Sequence, residues 1–358
     1  MNTGMDPILE ISNINKNTNP QVSRYLVEFV QSEIKDVIEQ KIKNKMWDVS
    51  YKNFIATAQG LTESTKLNIY PIAQSWPNGT GTYLDNPIVD DGCNWLSGSV
   101  AWSSSGIDSL GNKITGSFDS TYIPSGGGSW LINSGSTPPL TNFKVSQSFD
   151  IRSQKDINVN VKEIVSRWYS GSIINNGFIT KWEDSVEFTT NREIQPIMKF
   201  YSVDTNTIYP PQLEFKWRDY QSVLTGSATA SIISTTNLAS SLAENPGVFT
   251  PQSVNRFRFN VAPKYPKKVY QTGSYFTETN YLPTASYYAI KDLETNEFVV
   301  SYDTLYTQLS SDNKGNYFDV YMNGLEPERY YKVCIKTNIN GSILVLDDDY
   351  YFKVVNAI

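Results

Sequence analysis

Along most of this chain apolar and polar residues alternate with a period of two, the spacing that sends successive side chains to opposite faces of a strand. Residues 23–30 (SRYLVEFV) place Tyr25, Val27 and Phe29 on one face and Leu26 and Val30 on the other, which predicts a strand. The period then changes. In QSEIKDVIEQKIKNK, Ile34, Val37, Ile38 and Ile42 recur at helical spacing, with Ser32 as the expected cap ahead of Glu33. One short amphipathic helix is predicted there, too brief and too mixed in charge for a membrane-surface or coiled-coil helix. Strands return in YKNFIATAQGL and KLNIYPIAQSW, where Pro71 marks an edge or a strand end. A further strand is predicted in DINVNV, and three more between residues 177 and 219. In VKEIVSRWYSG, Val161, Ile164, Val165 and Trp168 share one helical face, and Gly171 supplies the stop.

Two stretches break the alternation. From PNGTGTYLDNPIVDDGCNW to SGGGSWLINSGSTPPL the chain is rich in Gly, Ser, Asn, Asp and Pro, with Trp76, Trp95, Trp102 and Trp130 spaced along it. Such loops are long for a compact domain and are read as irregular cover pinned by indoles. Between residues 220 and 253 the chain is poor in charge and rich in Ser, Thr and Ala, and is read as an extended connector. From Val254 onward VNRFRFNV, YYAIKDL, YFDVYMNGL, RYYKVCIKT and YYFKVV are separated by the turn signals DNKGN, EPER and NING. That spacing predicts an immunoglobulin-like β-sandwich. The expected organisation is therefore all-β: a lead-in over 1–20, a jelly-roll-like β-sandwich with one or two short helices over 20–220, a connector over 221–253 and an immunoglobulin-like β-sandwich over 254–358.

Composition supports this without adding chemistry. Hydrophobic residues are 39% and aromatic residues 13% of 358, ample for two real cores. A net charge of −6 gives no electrostatic grip on phosphate backbones, so no nucleic-acid partner is expected. Cys93 and Cys334 lie far apart without metal-ligand spacing and are read as buried free thiols. The first residues show no basic stretch followed by an apolar run, and no segment approaches a membrane span, so the expectation is a chain made in a cytoplasm, without usual export and without a membrane partner.

The absence of histidine removes Ser-His-Asp and Cys-His catalysis together with the common histidine zinc sites. Paired carboxylates of a glycosidase type need no histidine, and Asp90 with Asp91, or Glu183, Asp184 and Glu187, are the candidates. The competing reading makes them solvated turn formers. Calcium would suit Asp85, Asp90 and Asp91 in DNPIVDDG, or Asp347, Asp348 and Asp349 in LDDDY, although neither follows an EF-hand spacing. The four loop tryptophans either stack on sugars or pack beneath the loops. SGGGSW lacks the lysine of a phosphate loop. No residue is assigned a catalytic, cofactor-binding or metal-ligating role, and no cofactor is expected.

The order of NIYPIAQSW, SFDI, DINVNVKEIVSRWYSG, NNGFITK and KFYSVDTNTIYPPQLEFKW over residues 20–220 resembles the DNRLRE (disaggregatase-related) β-sandwich. Val30 departs from it, standing where that family usually has an Asp after the Phe. YPIAQSWPNGTGTYLDNP, GCNW, GGGSWL and IVSRWYSGSIINNGFI, with the C-terminal YYAIKDLETNEFVVSYDTLYTQLSSDNKGNYFDVYMNGLEPERYY, are similar to virion structural proteins of T4-like tailed phages of marine bacteria and cyanobacteria. The resemblance implies a non-enzymatic component of the neck, tail or baseplate. It would be assembled in the host cytoplasm, present in several copies, and bound to other virion proteins. The alternative is a carbohydrate-binding module recognising a host surface glycan.

Overall fold

The computed structural model describes residues 3–16, 19–61, 65–89, 91–99, 102, 127–133, 141–187, 196–222, 238–265, 279–339 and 341–356. The chain is mostly β, built from several antiparallel sheets with few short helices. It divides into two compact units, Met1–Lys216 and Trp217–Ile358.

The first unit contains β1 (Ile8–Lys16), β2 (Asn19–Val22), β3 (Tyr25–Val27), β4 (Trp47–Asn53), β5 (Ile55–Gln59) and β6 (Thr65–Pro71). After the loops come β7 (Val145–Phe149), β8 (Ile157–Asn160), β9 (Phe178–Trp182), β10 (Ile197–Tyr201) and β11 (Gln212–Trp217), the last ending at the boundary between the units. Their sheets run β2-β1-β10-β5, β11-β4-β8 and β3-β9-β6-β7. One face of the β3-β9-β6-β7 sheet packs against the others. Tyr51 of β4 stacks on Phe178 of β9 at 5.2 Å between ring centroids, and Tyr25 of β3 meets Phe200 of β10 at 5.7 Å. Helix α2 (Lys162–Ser170) closes one end of this core, with Trp168 4.7 Å from the Phe178 ring. Gly171 takes φ +74°, the left-handed turn that ends a helix most cheaply at glycine.

Several expectations change here. The lead-in is β1, whose residues 8–12 pair with residues 197–201 of β10. A partner so distant in sequence leaves no local signal beyond ordinary alternation. The strand expected over residues 23–30 is only β3, because the Phe29 carbonyl accepts the Asn175 side-chain amide (2.8 Å) instead of a neighbouring strand. Helix α1 (Gln31–Asp36) is capped by extended Val30 with no side-chain bond, so Ser32 lies inside the first turn and is not the cap. A π-helical turn over Val37–Ile42 follows, closed by Lys43 N–H to the Ile38 carbonyl at 2.7 Å. It keeps Ile34, Ile38 and Ile42 buried on one side.

The second unit holds β12 (Leu238–Ala243), β13 (Val248–Phe249), β14 (Val254–Pro263), β15 (Ser286–Asp292), β16 (Phe298–Val300) and β17 (Ser310–Asp312). It continues with β18 (Gly315–Tyr321), β19 (Tyr330–Ile339), β20 (Ser342–Leu346) and β21 (Tyr351–Val354). Sheet β12-β14-β18-β17 faces sheet β13-β21-β19-β15-β16, with β20 paired to the far half of β19. Between them lies one core that includes Phe257, Phe259, Phe318, Val333, Ile335 and Phe352. The pairing order is that of an immunoglobulin-type sandwich, and Tyr331 at the start of β19 donates its hydroxyl to the Glu326 carbonyl (2.8 Å), as a tyrosine corner does. The connector expectation is overturned over part of its length. β12 pairs along β14, and β13 runs parallel to β21, so residues 238–243 and 248–249 are strands of this sandwich. Residues 223–237 of that connector lie outside the described residues.

Candidate functional site

Among the acids singled out by the sequence, those described in the first unit are held in two different ways. In the loop after β6, Asp91 accepts the Thr80 N–H (2.9 Å) on one oxygen and the Thr80 hydroxyl (2.7 Å) on the other. Asp85 clamps Thr82 in the same manner at 2.6 and 2.7 Å. The Thr82 hydroxyl and amide hold the Asp85 carboxyl below the usual carboxylate range, and the Thr80 amide and hydroxyl do so for Asp91. A glycosidase acid needs the opposite displacement. The chain's start adds further ties: Asp6 accepts the Tyr83 N–H at 3.1 Å, Met5 N–H reaches the Gly81 carbonyl at 3.1 Å, and Asn78 bonds the Gly4 carbonyl at 2.8 Å. On this braced loop Tyr83, Leu84 and Ile88 point into solvent, Leu84 being 87% exposed.

Glu183, Asp184 and Glu187 follow β9, where the chain turns into the short helix α3 (Asp184–Glu187). They diverge. Glu183 stands 3.7 Å from Lys66, exposed Asp184 binds Lys181, and Glu187 points inward with its side chain fully buried. Glu187 takes two bonds from Arg24, Nε to Oε1 at 2.6 Å and Nη2 to Oε2 at 2.8 Å, while Lys181 Nζ lies 2.9 Å from Oε2. The Arg24 and Lys181 side chains are 6% and 1% exposed, so this is a desolvated ion cluster with both carboxylate oxygens in use. Tryptophans form its lid. The Arg24 guanidinium lies 4.7 Å from the Trp95 ring centroid and 5.3 Å from that of Trp130, and Lys181 Nζ lies 5.6 Å from Trp130. Burial, then the charges of Asp184, Glu187 and Glu183, push the phenol of neighbouring Tyr70 well above its usual range.

Two glycines of SGGGSW, Gly127 and Gly128, acquire a physical reason at this cluster. Gly127 (φ +79°) turns its carbonyl onto Arg24 Nη1, and a Cβ there would run into the guanidinium and the Trp95 ring. At Gly128 (φ +106°) a Cβ would stand 2.7 Å from Ile179 Cδ1. Only a residue without a side chain lets this loop descend onto β9. The tryptophans are anchored likewise. Trp102 and Trp130 are buried, Trp102 donates to the Asn94 carbonyl (2.9 Å), and half-buried Trp76 donates to the Asn176 carbonyl (2.9 Å).

Chemically, the arrangement sets one buried carboxylate, Glu187, against two buried cations under an aromatic cover, with exposed Asp184 as the second partner of Lys181. Glu187 was on the sequence's candidate list, but Arg24 and Lys181 were missed. Arg24 sits between two strands and Lys181 inside the alternating run FITKW, where a charged residue signals a solvent face.

No family model matches the chain, and no curated protein matches it. Among solved structures it is similar to a DUF4785 family protein from Legionella pneumophila subsp. pneumophila str. Philadelphia 1, at 8% identity and a TM-score of 0.18. The match covers 98% of this chain and 62% of that one, so this chain spans under two thirds of that protein's length. A likeness of that size carries no argument.

Among the described residues no group of three or more His, Cys, Asp or Glu is placed to hold a metal ion. Asp90 lies outside the described residues. In the second unit Asp347 stands 3.4 Å from Lys332 Nζ, and Asp348 accepts the Tyr350 hydroxyl at 3.3 Å. Cys334 is buried and Cys93 only half-buried, and burial raises both thiols. No described helix is long and apolar enough to cross a membrane.

Proposed function

We propose that the protein is a non-enzymatic virion structural component of a tailed phage, an adaptor or decoration of the neck, tail or baseplate that works through preformed protein-binding surfaces. The observation that carries this reading is the use made of the acids. Asp85 and Asp91 brace a loop, and Glu187 binds Arg24 and Lys181 beneath the tryptophans. The braced loop in turn displays Tyr83, Leu84 and Ile88. Apolar side chains shown on a loop whose backbone is already fixed suit a protein contact, because little ordering entropy remains to be lost on docking. The segment order quoted above supplies the virion assignment.

Quantitative mass spectrometry of purified particles tests it, with a fixed copy number per particle as the expected result. Absence from particles, or release of oligosaccharides from bacterial surface polysaccharide by the purified chain, would overturn it. Binding to a glycan array without turnover would replace it with the carbohydrate-binding module.

A further inference from the structure

The sheet β13-β21-β19-β15-β16 of the second unit buries one face in the sandwich core and turns the other outward. Along β19 the outward positions are Lys332, Cys334 and Lys336, and β15 adds Lys291. Lys291 and Lys332 are direct cross-strand partners. Two like charges directly opposite each other cost stability in a sheet unless an anion lies between them. They line a cleft of about 290 Å³ walled by Phe298, Tyr302 and Tyr351. Asp347, its one carboxylate, is 3.4 Å from Lys332, and among the described residues Lys291 and Lys336 have no carboxylate partner. Each lysine instead lies near a ring: Lys291 near Phe298 (5.7 Å), Lys332 near Tyr351 (5.6 Å) and Lys336 near Tyr302 (5.6 Å). The next lysine on the sheet, Lys353, is matched by Glu328 at 2.6 Å.

Here, on a chain of net charge −6, one sheet face carries an unmatched positive charge at its cleft. We propose that this face docks an acidic polypeptide segment of a partner protein, with one carboxylate seated between Lys291 and Lys332. The proposal rests on the adaptor reading and names its partner's chemistry. Lys332 and Lys336 are four residues apart on one strand, about 13 Å by strand rise, so an extended segment with carboxylates at that spacing engages both ends. Exposed Ile343 and Val345 on the neighbouring strand favour a polypeptide over an acidic glycan, since they offer apolar contact and nothing to bond a sugar hydroxyl.

Fluorescence anisotropy with a labelled glutamate–tyrosine copolymer tests this on the full chain, with alginate as the acidic glycan and Lys199→Glu in the first unit as the control. Lys291→Glu converts the like-charge pair into an opposite-charge pair, so the melting temperature is expected to hold or rise while copolymer affinity falls about tenfold. Equal loss in Lys199→Glu, unchanged affinity in Lys291→Glu, or alginate binding as tightly as the copolymer would each sink the proposal. The measurement uses purified protein, so it fails or succeeds independently of whether the chain is found in virions.

Discussion

The two units treat the second face of a sheet in opposite ways. In the first, β9 is buried along all five residues: Phe178, Thr180 and Trp182 face the inner core, while Ile179 and Lys181 face the tryptophan loops. In the second, β19 buries Tyr331, Val333 and Ile335 and leaves Lys332 and Lys336 half-exposed on the outer side. The same alternation of apolar and cationic residues therefore ends in a desolvated ion cluster in one case and a solvated surface in the other. What decides between them is cover. A buried cation persists only where carboxylates replace its water, and Glu187 exists for Lys181 and Arg24 as no counterpart does for Lys291 among the described residues. A covered face fixes loops, whereas a bare cationic face remains available to a partner.

That contrast is broken most directly by Glu187→Ala, which leaves Arg24 and Lys181 buried without their shared anion. Removing one partner of such a cluster costs about 3–5 kcal/mol. Chemical denaturation is expected to show a loss of that size, and hydrogen exchange should show β6 and β9 amides losing protection while β15 and β19 keep theirs. A loss below about 1 kcal/mol would mean that the cluster is solvated and the two faces are alike.

Trp168→Ala separates the inner core from the covered outer face. The indole is 1% exposed, packs on Phe178 and finds no acceptor for its N–H among the described residues, so its contribution is shape and apolar area. Truncation is expected to cost about 3–5 kcal/mol, with Trp168→Phe recovering a large part of it. An unchanged melting temperature in the soluble alanine variant would show that α2 does not close the core.

The all-β class, α2 with its Gly171 stop, and the main strands of the second unit were legible because each rests on local periodicity or a single turn residue. β1 and β12 were not. β1 declares itself only through β10, far along the chain, and in LASSLA the serines blur the alternation, although Ser240 is a real partner of the Tyr350 hydroxyl at 2.7 Å. The ion cluster was half legible for the same reason. Glu187 could be noticed as an acid among acids, but its value depends on Arg24, 163 residues away, and on glycines that only the descending loop explains. Pairings of that range are properties of topology, and no window of sequence contains them.

The smallest effect sharpens the comparison through acid. In the second unit Arg258 on β14 holds Asp312 on β17 with two bonds of 2.8 Å, spanning the two strands that flank β18. Arg258, helped by the Lys314 amide, keeps the Asp312 carboxyl below its usual range against the opposing pull of burial. A carboxylate whose folded value is depressed adds stability above its unfolded value, about 4, and that stability is lost as the pH falls through the folded value. The first unit's depressed carboxylates Asp85 and Asp91 brace a loop within a few residues of themselves or across its own turn, so titrating them loosens the loop and not a sheet. Exchange measured from pH 7 down to about 3 should therefore show β14 and β18 amides in the second unit losing protection below pH 4 in the native chain. Asp312→Asn should flatten that dependence while slightly lowering stability at pH 7, because the neutral amide bonds Arg258 more weakly than the carboxylate it replaces and does not titrate. An acid profile identical in the two proteins would remove Asp312 from the account and leave the sandwich's acid sensitivity to Asp292, which Arg329 holds at 2.7 Å.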